Sequence, residues 1–173
     1  GKGTVVDFLV NKRGFKHFSA RAFLVEEIER RGMENNRDTM VIVGNDLRSK
    51  FGPGYVAEEL FKRARDCGKN AVIESLRTVG EIETLRKKGD FTLLAVDADP
   101  KIRYERNSVR GTTTDNVTFE KFLADEELEM KSTDPNKQNL SECIKKADFL
   151  IDNNGTVEEL NKKIEEILKI IQI

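Results

Sequence analysis

Gly1-Lys2-Gly3-Thr4-Val5-Val6-Asp7-Phe8-Leu9-Val10 opens the chain, and its reading decides the fold. A glycine-rich turn runs straight into a stretch whose apolar stripe is Val5, Phe8 and Leu9, the pattern of a helix beginning just after the glycines. Glycines let successive backbone N–H groups converge on an anion, and the helix that follows turns its positive end towards it. The first four residues fit the closing half of the phosphate-binding motif G-x-x-x-x-G-K-[ST], with a glycine inserted before Thr4. In that role Gly1 and Gly3 shape the cradle, Lys2 bridges the β- and γ-phosphates of ATP, and Thr4 ligates Mg²⁺. Taken alone, the same tetrapeptide also reads as a polar turn. The motif is already under way at Gly1, so the strand that precedes such a loop, and the loop's first glycines, are expected upstream of it.

Outward from this segment, short apolar runs alternate with helical stretches. His17 to Ala20 reads as a strand, and Phe23, Leu24 and Ile28 recur at helical spacing up to Gly32. A loop over Glu34 to Arg37 leads into a helix around Asp38; Phe51-Gly52-Pro53-Gly54 is a turn; Val56, Leu60, Phe61 and Ala64 mark a helix ending near Gly68. Ala71 to Ile73, Thr92 to Val96 and Phe149 to Ile151 are nearly uninterrupted apolar runs, as expected of strands covered on both faces. Helices are predicted over Val79 to Lys88, Lys101 to Val109 and Phe119 to Met130, and a final one carries Leu160, Ile164, Ile167, Leu168 and Ile171. The alternation predicts one α/β domain over residues 1–173, a parallel sheet flanked by helices in three layers.

Composition narrows the function. At 173 residues the chain can bury a real core as one domain. Charged residues are 35% of it, but 30 Lys and Arg offset 31 Asp and Glu, so a net charge of −1 gives no field drawing it to nucleic acid or a membrane. Low aromatic content without Trp offers no stacking surface for single-stranded nucleic acid. Cys67 and Cys143 lie far apart without metal-ligand spacing; free thiols and the lack of a leader or of an apolar run of about 20 residues point to the cytoplasm.

The order of motifs along nearly the whole chain resembles the adenylate-kinase-like P-loop nucleotide kinases, and more closely the dephospho-CoA-kinase-like proteins; similar domains occur fused to deoxycytidylate deaminases. Gly-Lys-Gly-Thr is the form adenylate kinases use. Ser19-Ala20-Arg21 before Phe23-Leu24 resembles a segment carrying an acceptor-binding Arg, and Arg37-Asp38 with Asn45-Asp46-Leu47-Arg48 resembles the acceptor-side helix. Val72-Ile73-Glu74-Ser75-Leu76-Arg77 stands where adenylate kinases have Asp-Gly-x-Pro-Arg, with Glu74 for the Asp, Ser75 for the Gly and no Pro. Arg106 and Arg110, four residues apart and so on one helix face, match two arginines at the base of the family's lid. Ile151-Asp152-Asn153-Asn154-Gly155-Thr156 resembles the turn that lies against the adenine ring.

What the resemblance implies is ATP-dependent phosphoryl transfer to a nucleotide-like acceptor: a nucleoside or deoxynucleoside monophosphate, or dephospho-CoA. ATP would be bound by Gly1 to Thr4 and by Asn153, Asn154 and Gly155; Mg²⁺ by Thr4 and, through water, Glu74; the acceptor by Arg21, Arg37, Arg48 and Arg77. Lys2, Arg106 and Arg110 would stabilise the charge that spreads over the moving phosphoryl oxygens. A short lid is expected over residues 106–130 with its tip at Gly111 to Asn116, and the protein is expected as a monomer or small homo-oligomer. Asp7 is the carboxylate placed to serve a hydroxyl acceptor. The bland alternatives stay open: Arg103, Arg106 and Arg110 as a solvated face with Glu105, Glu74 as a cap, Asp46 as a surface carboxylate, His17 as a packed or edge residue, and Asn153 to Gly155 as a turn selected for positive φ. A nucleotide-binding regulatory domain that does not turn over is the alternative function.

Overall fold

The computed structural model describes residues 1–110, 118–130, 133–134 and 136–173, less the side chains of Arg110, Leu128 and Glu129. In chain order the elements are α1 (Lys2–Arg13), β1 (Lys16–Ser19), α2 (Ala20–Arg30), α3 (Arg37–Phe51), α4 (Tyr55–Asp66), β2 (Ala71–Glu74), α5 (Val79–Lys88), β3 (Leu94–Asp97), α6 (Pro100–Arg110), α7 (Phe119–Met130), α8 (Leu140–Lys145), β4 (Phe149–Asp152) and α9 (Val157–Ile170). The Ile-rich end is helical, as its period predicts, and Gly14, at φ 71°, closes α1 in the left-handed conformation a glycine adopts without strain.

Among the described residues all strand pairing is parallel, and it falls into two pairs. β1 pairs with β2 in the register Lys16–Ala71 to Ser19–Glu74, and β3 pairs with β4 from Leu94–Phe149 to Asp97–Asp152. Among the described residues no ladder joins β2 to β3, so each strand is bonded along one edge only. This also corrects the expectation that the strands are covered on both faces: every residue of β2 and β3 is partly exposed, and Ile151 of β4, 2% exposed, is the strand residue that lies fully in the core.

Each pair has its own apolar cluster. Val5 and Leu9 of α1 pack with Ile151 and with Leu160, Ile164, Ile167 and Leu168 of α9. Ile28 of α2, Val43 and Leu47 of α3, and Val56 and Leu60 of α4 form the second cluster, against Phe18 of β1 and Ile73 of β2. Val72 of β2 and Val96 of β3 both lean on the first cluster, so α1 touches both strand pairs. Its N-terminus therefore lies where the carboxyl ends of the strands meet, the position at which open α/β folds bind ligands.

Candidate functional site

The site is the first turn of α1. Its N-cap is Gly1, no side chain caps it, and its first turn holds no carboxylate. α2, α3, α5, α8 and α9 are instead capped by Ser19, Asn36, Thr78, Asn139 and Thr156, and the other helix with a glycine cap, α4, carries Glu58 in its first turn. Helix starts are stabilised by negative charge, and α1 supplies none of its own. Gly1 is required by space: a Cβ there would lie 2.2 Å from Asn153 Nδ2 and 2.9 Å from Val96 Cγ1, whereas one at Gly3 would meet nothing within 4 Å. The backbone of Gly3 is thus open to a ligand, while Gly1 is wedged against the carboxyl ends of β3 and β4.

On the β2 side, Lys2 Nζ donates to Ser75 Oγ at 2.8 Å and lies 3.4 Å from Glu74 Oε2. Glu74 Oε1 accepts from Ser19 Oγ at 2.8 Å, a contact the register dictates because Ser19 and Glu74 are paired residues. Burial pushes the Glu74 carboxyl up, but the Ser19 hydroxyl and the Lys2 charge together outweigh it and hold the group below its ordinary range, so it is anionic at neutral pH. Ser75 has φ 71°, the left-handed backbone that the glycine of an Asp-Gly pair adopts freely. Serine accepts that conformation here and places its hydroxyl on Lys2.

On the other side a cleft of about 260 Å³ is walled by Gly1, Asp97, Arg106, Asn107, Phe122 and Asn153, among others. Arg106 donates to the carbonyls of Asn153 at 2.6 Å and Gly155 at 2.8 Å, so it braces the turn after β4. Asn153 is buried, its N–H donating to Asp97 O at 2.8 Å, and Asn154 Oδ1 accepts from Asp99 N–H at 2.7 Å. Arg103 forks onto Glu126 of α7 at 2.9 and 2.6 Å and also bonds Asp97 at 2.6 Å, a structural pairing that clamps α7 to α6 beside the tilted contacts of Tyr104 with Phe119 and Phe122. The Arg110 side chain and the expected lid tip, Gly111 to Asn116, lie outside the described residues.

The four arginines expected to grip an acceptor stand in different settings. Arg21 is exposed at the start of α2, and Arg37 is exposed at the start of α3, 3.7 Å from Asp125 of α7. Arg77 Nη1 donates to Gln138 Oε1 at 2.8 Å. Arg48 is buried, 5% exposed, and paired with Glu81. The sequence reading missed Glu81 and Glu126, carboxylates that look like solvated charge until the fold brings their partners, as far as 33 residues away, into place. His17 is an exposed edge residue with Nε2 3.6 Å from Glu74 Oε1, and Asp46 is paired with Arg31 and Lys50. Asp7 is exposed on α1.

These residues fit a phosphate-bearing nucleotide. Among the described residues no cluster of three or more His, Cys, Asp or Glu side chains could hold a metal by itself. Thr4 and Glu74 would hold Mg²⁺ only together with phosphate oxygens, in the manner of P-loop sites. Among the described residues, no helix is long and apolar enough to cross a membrane.

Residues 1–122 match the family described as the AAA domain, a P-loop class in keeping with parallel strands flanked by helices and an anion-ready α1. Over nearly its whole length the chain is also 31% identical, over 175 residues, to a UPF0200 protein of Sulfurisphaera tokodaii and 30% identical, over 177 residues, to one of Pyrococcus horikoshii; each alignment covers 99% of this chain and 91% of the relative. A UPF0200/UPF0201 protein of Archaeoglobus fulgidus is 30% identical over 150 residues, which are 83% of this chain and 44% of that protein. The chain belongs to the AAA-domain P-loop proteins and, among them, to the UPF0200 family.

Proposed function

We propose that the protein transfers the γ-phosphoryl group of ATP, with Mg²⁺, to a nucleotide-like acceptor. The observation that carries this reading is the placement of Lys2: its ammonium sits on Ser75 and beside Glu74, at the start of a helix with neither a side-chain cap nor a carboxylate of its own. A cation, a helix start without a side-chain cap and an anionic carboxylate thus converge from two elements, the set that phosphoryl transfer uses.

Mg²⁺·ATP supplies the phosphoryl group and neutralises much of its charge. The chain's part is to position it. Backbone N–H groups of Gly3 and Thr4 would donate to phosphate oxygens, and Lys2, handed over from Ser75, would balance the charge that develops on them. Thr4 Oγ1 and, through water, Glu74 would hold the cation. Asn153 and Gly155, held by Arg106, shape the wall of the cleft beside Gly1 that would take the base. In the reaction the bond from Pγ to the bridging oxygen breaks, a bond to an acceptor oxygen forms, and ADP departs with the electron pair. A phosphate acceptor arrives as an anion and needs no base.

A second reading, a nucleotide-binding domain that does not turn over, is favoured by one observation: Arg106 is committed to two backbone carbonyls. An ADP-release assay over AMP, dCMP and dephospho-CoA separates the two. Acceptor-stimulated release that Lys2→Ala abolishes supports the kinase; nucleotide binding with no stimulation by any acceptor leaves the regulatory reading.

A further inference from the structure

Glu81 is wholly buried, and both of its carboxylate oxygens are in use. Oε2 accepts the backbone N–H of Arg77 at 2.8 Å and of Thr78 at 3.0 Å. Oε1 faces Arg48, with Nη2 at 3.1 Å and Nε at 3.4 Å. Arg48 comes from the last turns of α3, and its Nη1 packs over Gly44, where a Cβ would stand 3.1 Å from it. Glu81 is the third residue of α5, and with Thr78 it forms a reciprocal cap.

The cap alone does not call for a buried ion pair. α9 begins with the same device, Thr156 with Glu159, and there both residues are exposed to solvent. Desolvating two charges is expensive and returns little net stability, so a pair kept at this depth invites a role beyond holding the helix. What sets the α5 cap apart is the chain before it. Residues 74–77 run from Glu74 through Ser75, the two partners of Lys2, to Arg77, and the Arg77 N–H is the bond Glu81 makes beyond an ordinary cap.

The corner is rigid on every side. Thr78 Oγ1 donates to Pro53 O at 3.2 Å. A Cβ on Gly80 would fall 2.6 Å from Pro53 Cβ, and one on Gly54 would fall 1.9 Å from Thr84 Oγ1, so the turn between α3 and α4 is seated directly on the first turn of α5. From the other direction Asn139 N–H donates to Arg77 O at 2.9 Å.

We infer that Glu81, with Arg48 as its buried counterion, is a positioning residue that fixes the backbone of Arg77 and thereby sets how an acceptor's phosphate is received. This rests on the reading of Arg77 as an acceptor-binding residue given above. It replaces the direct contact expected of Arg48: the Arg48 guanidinium acts from inside the core, through Glu81 and one backbone amide.

Calorimetric titration of the full chain with AMP, dCMP and dephospho-CoA in turn, and separately with Mg²⁺·ATP, tests it, because binding is read without turnover. Glu81→Gln and Arg48→Met are expected to weaken the acceptor that binds by about tenfold, the scale of a misplaced charge-assisted contact, with Mg²⁺·ATP affinity unchanged; Arg48→Lys, which keeps the charge, recovers part of the loss. A merely structural pair would lower the melting temperature and leave the acceptor affinity of the folded protein as it was, and that result overturns the inference while sparing the kinase reading. If the unaltered chain binds none of the three acceptors, the kinase reading falls and the positioning role falls with it. Should Glu81→Gln or Arg48→Met fail to fold, Arg48→Lys decides: acceptor affinity equal to that of the unaltered chain, with the Arg77 amide still protected from hydrogen exchange, refutes the role. Weakened affinity together with faster exchange at that amide supports it.

Discussion

Glu27 of α2 is the acidic centre of a charge network that ties two helices together. Its carboxylate receives Arg30 Nε at 2.7 Å and Arg31 Nε at 2.6 Å, and Arg31 Nη1 crosses to Asp46 of α3 at 2.7 Å, with Lys50 closing the group at 3.1 Å. The Arg30 hydrogen bond, working against burial and with the help of Arg31, lowers the Glu27 carboxyl from an ordinary 4.5 to about 2. A folded pKa below the unfolded one means that the stabilisation is complete above about 4.5 and is lost as pH falls towards 2, where the folded protein must also take up the proton. Denaturant midpoints measured between these limits are expected to fall more steeply for the unaltered chain than for Glu27→Gln. Equal slopes would show that the Arg30 and Arg31 pairs hold nothing that solvent does not.

At the scale of elements, α9 shows how pattern becomes stability. Thr156 caps it by accepting Glu159 N–H, Leu160, Ile164, Ile167 and Leu168 are its buried stripe, and Ile164 is fully enclosed against α1 and β4. Thr156→Ala is expected to cost about 1 kcal/mol and Ile164→Ala roughly 2–5 kcal/mol, while Val157→Ala, at a half-exposed position, changes stability by less than about 0.5 kcal/mol. Urea unfolding of the three variants checks the order, and a loss at Val157 as large as that at Ile164 would refute the assignment of the buried face.

The same stripe was plain in the sequence because its apolar residues repeat at the helical period, and three of the four strands of the described residues were legible from short apolar runs. β3 begins two residues later than its run, at Leu94, and α8 escaped notice because it is six residues long and buries only Cys143. In the site, Lys2 and Glu74 were readable because their neighbours in sequence carry the motif. The pairing of Arg48 with Glu81 was not, since a buried ion pair between α3 and α5 has the same spacing in the chain as two solvated charges.

Across the whole molecule, two apolar clusters pack against the two strand pairs, Val72 of β2 leaning on the cluster of β3 and β4, and no ladder of backbone hydrogen bonds joins β2 to β3 among the described residues. α1 spans the division: Val5 and Leu9 belong to the cluster of β3 and β4, while Lys2 reaches Ser75 and Glu74 at the end of β2. A phosphate-bearing ligand seated on the start of α1 therefore contacts groups fixed in both halves, and its binding energy adds to the free energy of unfolding. For a ligand at 100 times its Kd the linkage amounts to about 2.7 kcal/mol, which a thermal melt resolves. Mg²⁺·ATP is expected to raise the melting temperature of the unaltered chain, and ATP with excess chelator to raise it less. Lys2 is more than half exposed, so Lys2→Ala is expected to melt close to the unaltered chain without ligand and to lose most of the ligand-induced shift. A shift of the same size in both proteins would mean that the nucleotide binds elsewhere, and that the start of α1 is a polar turn and not a phosphate cradle.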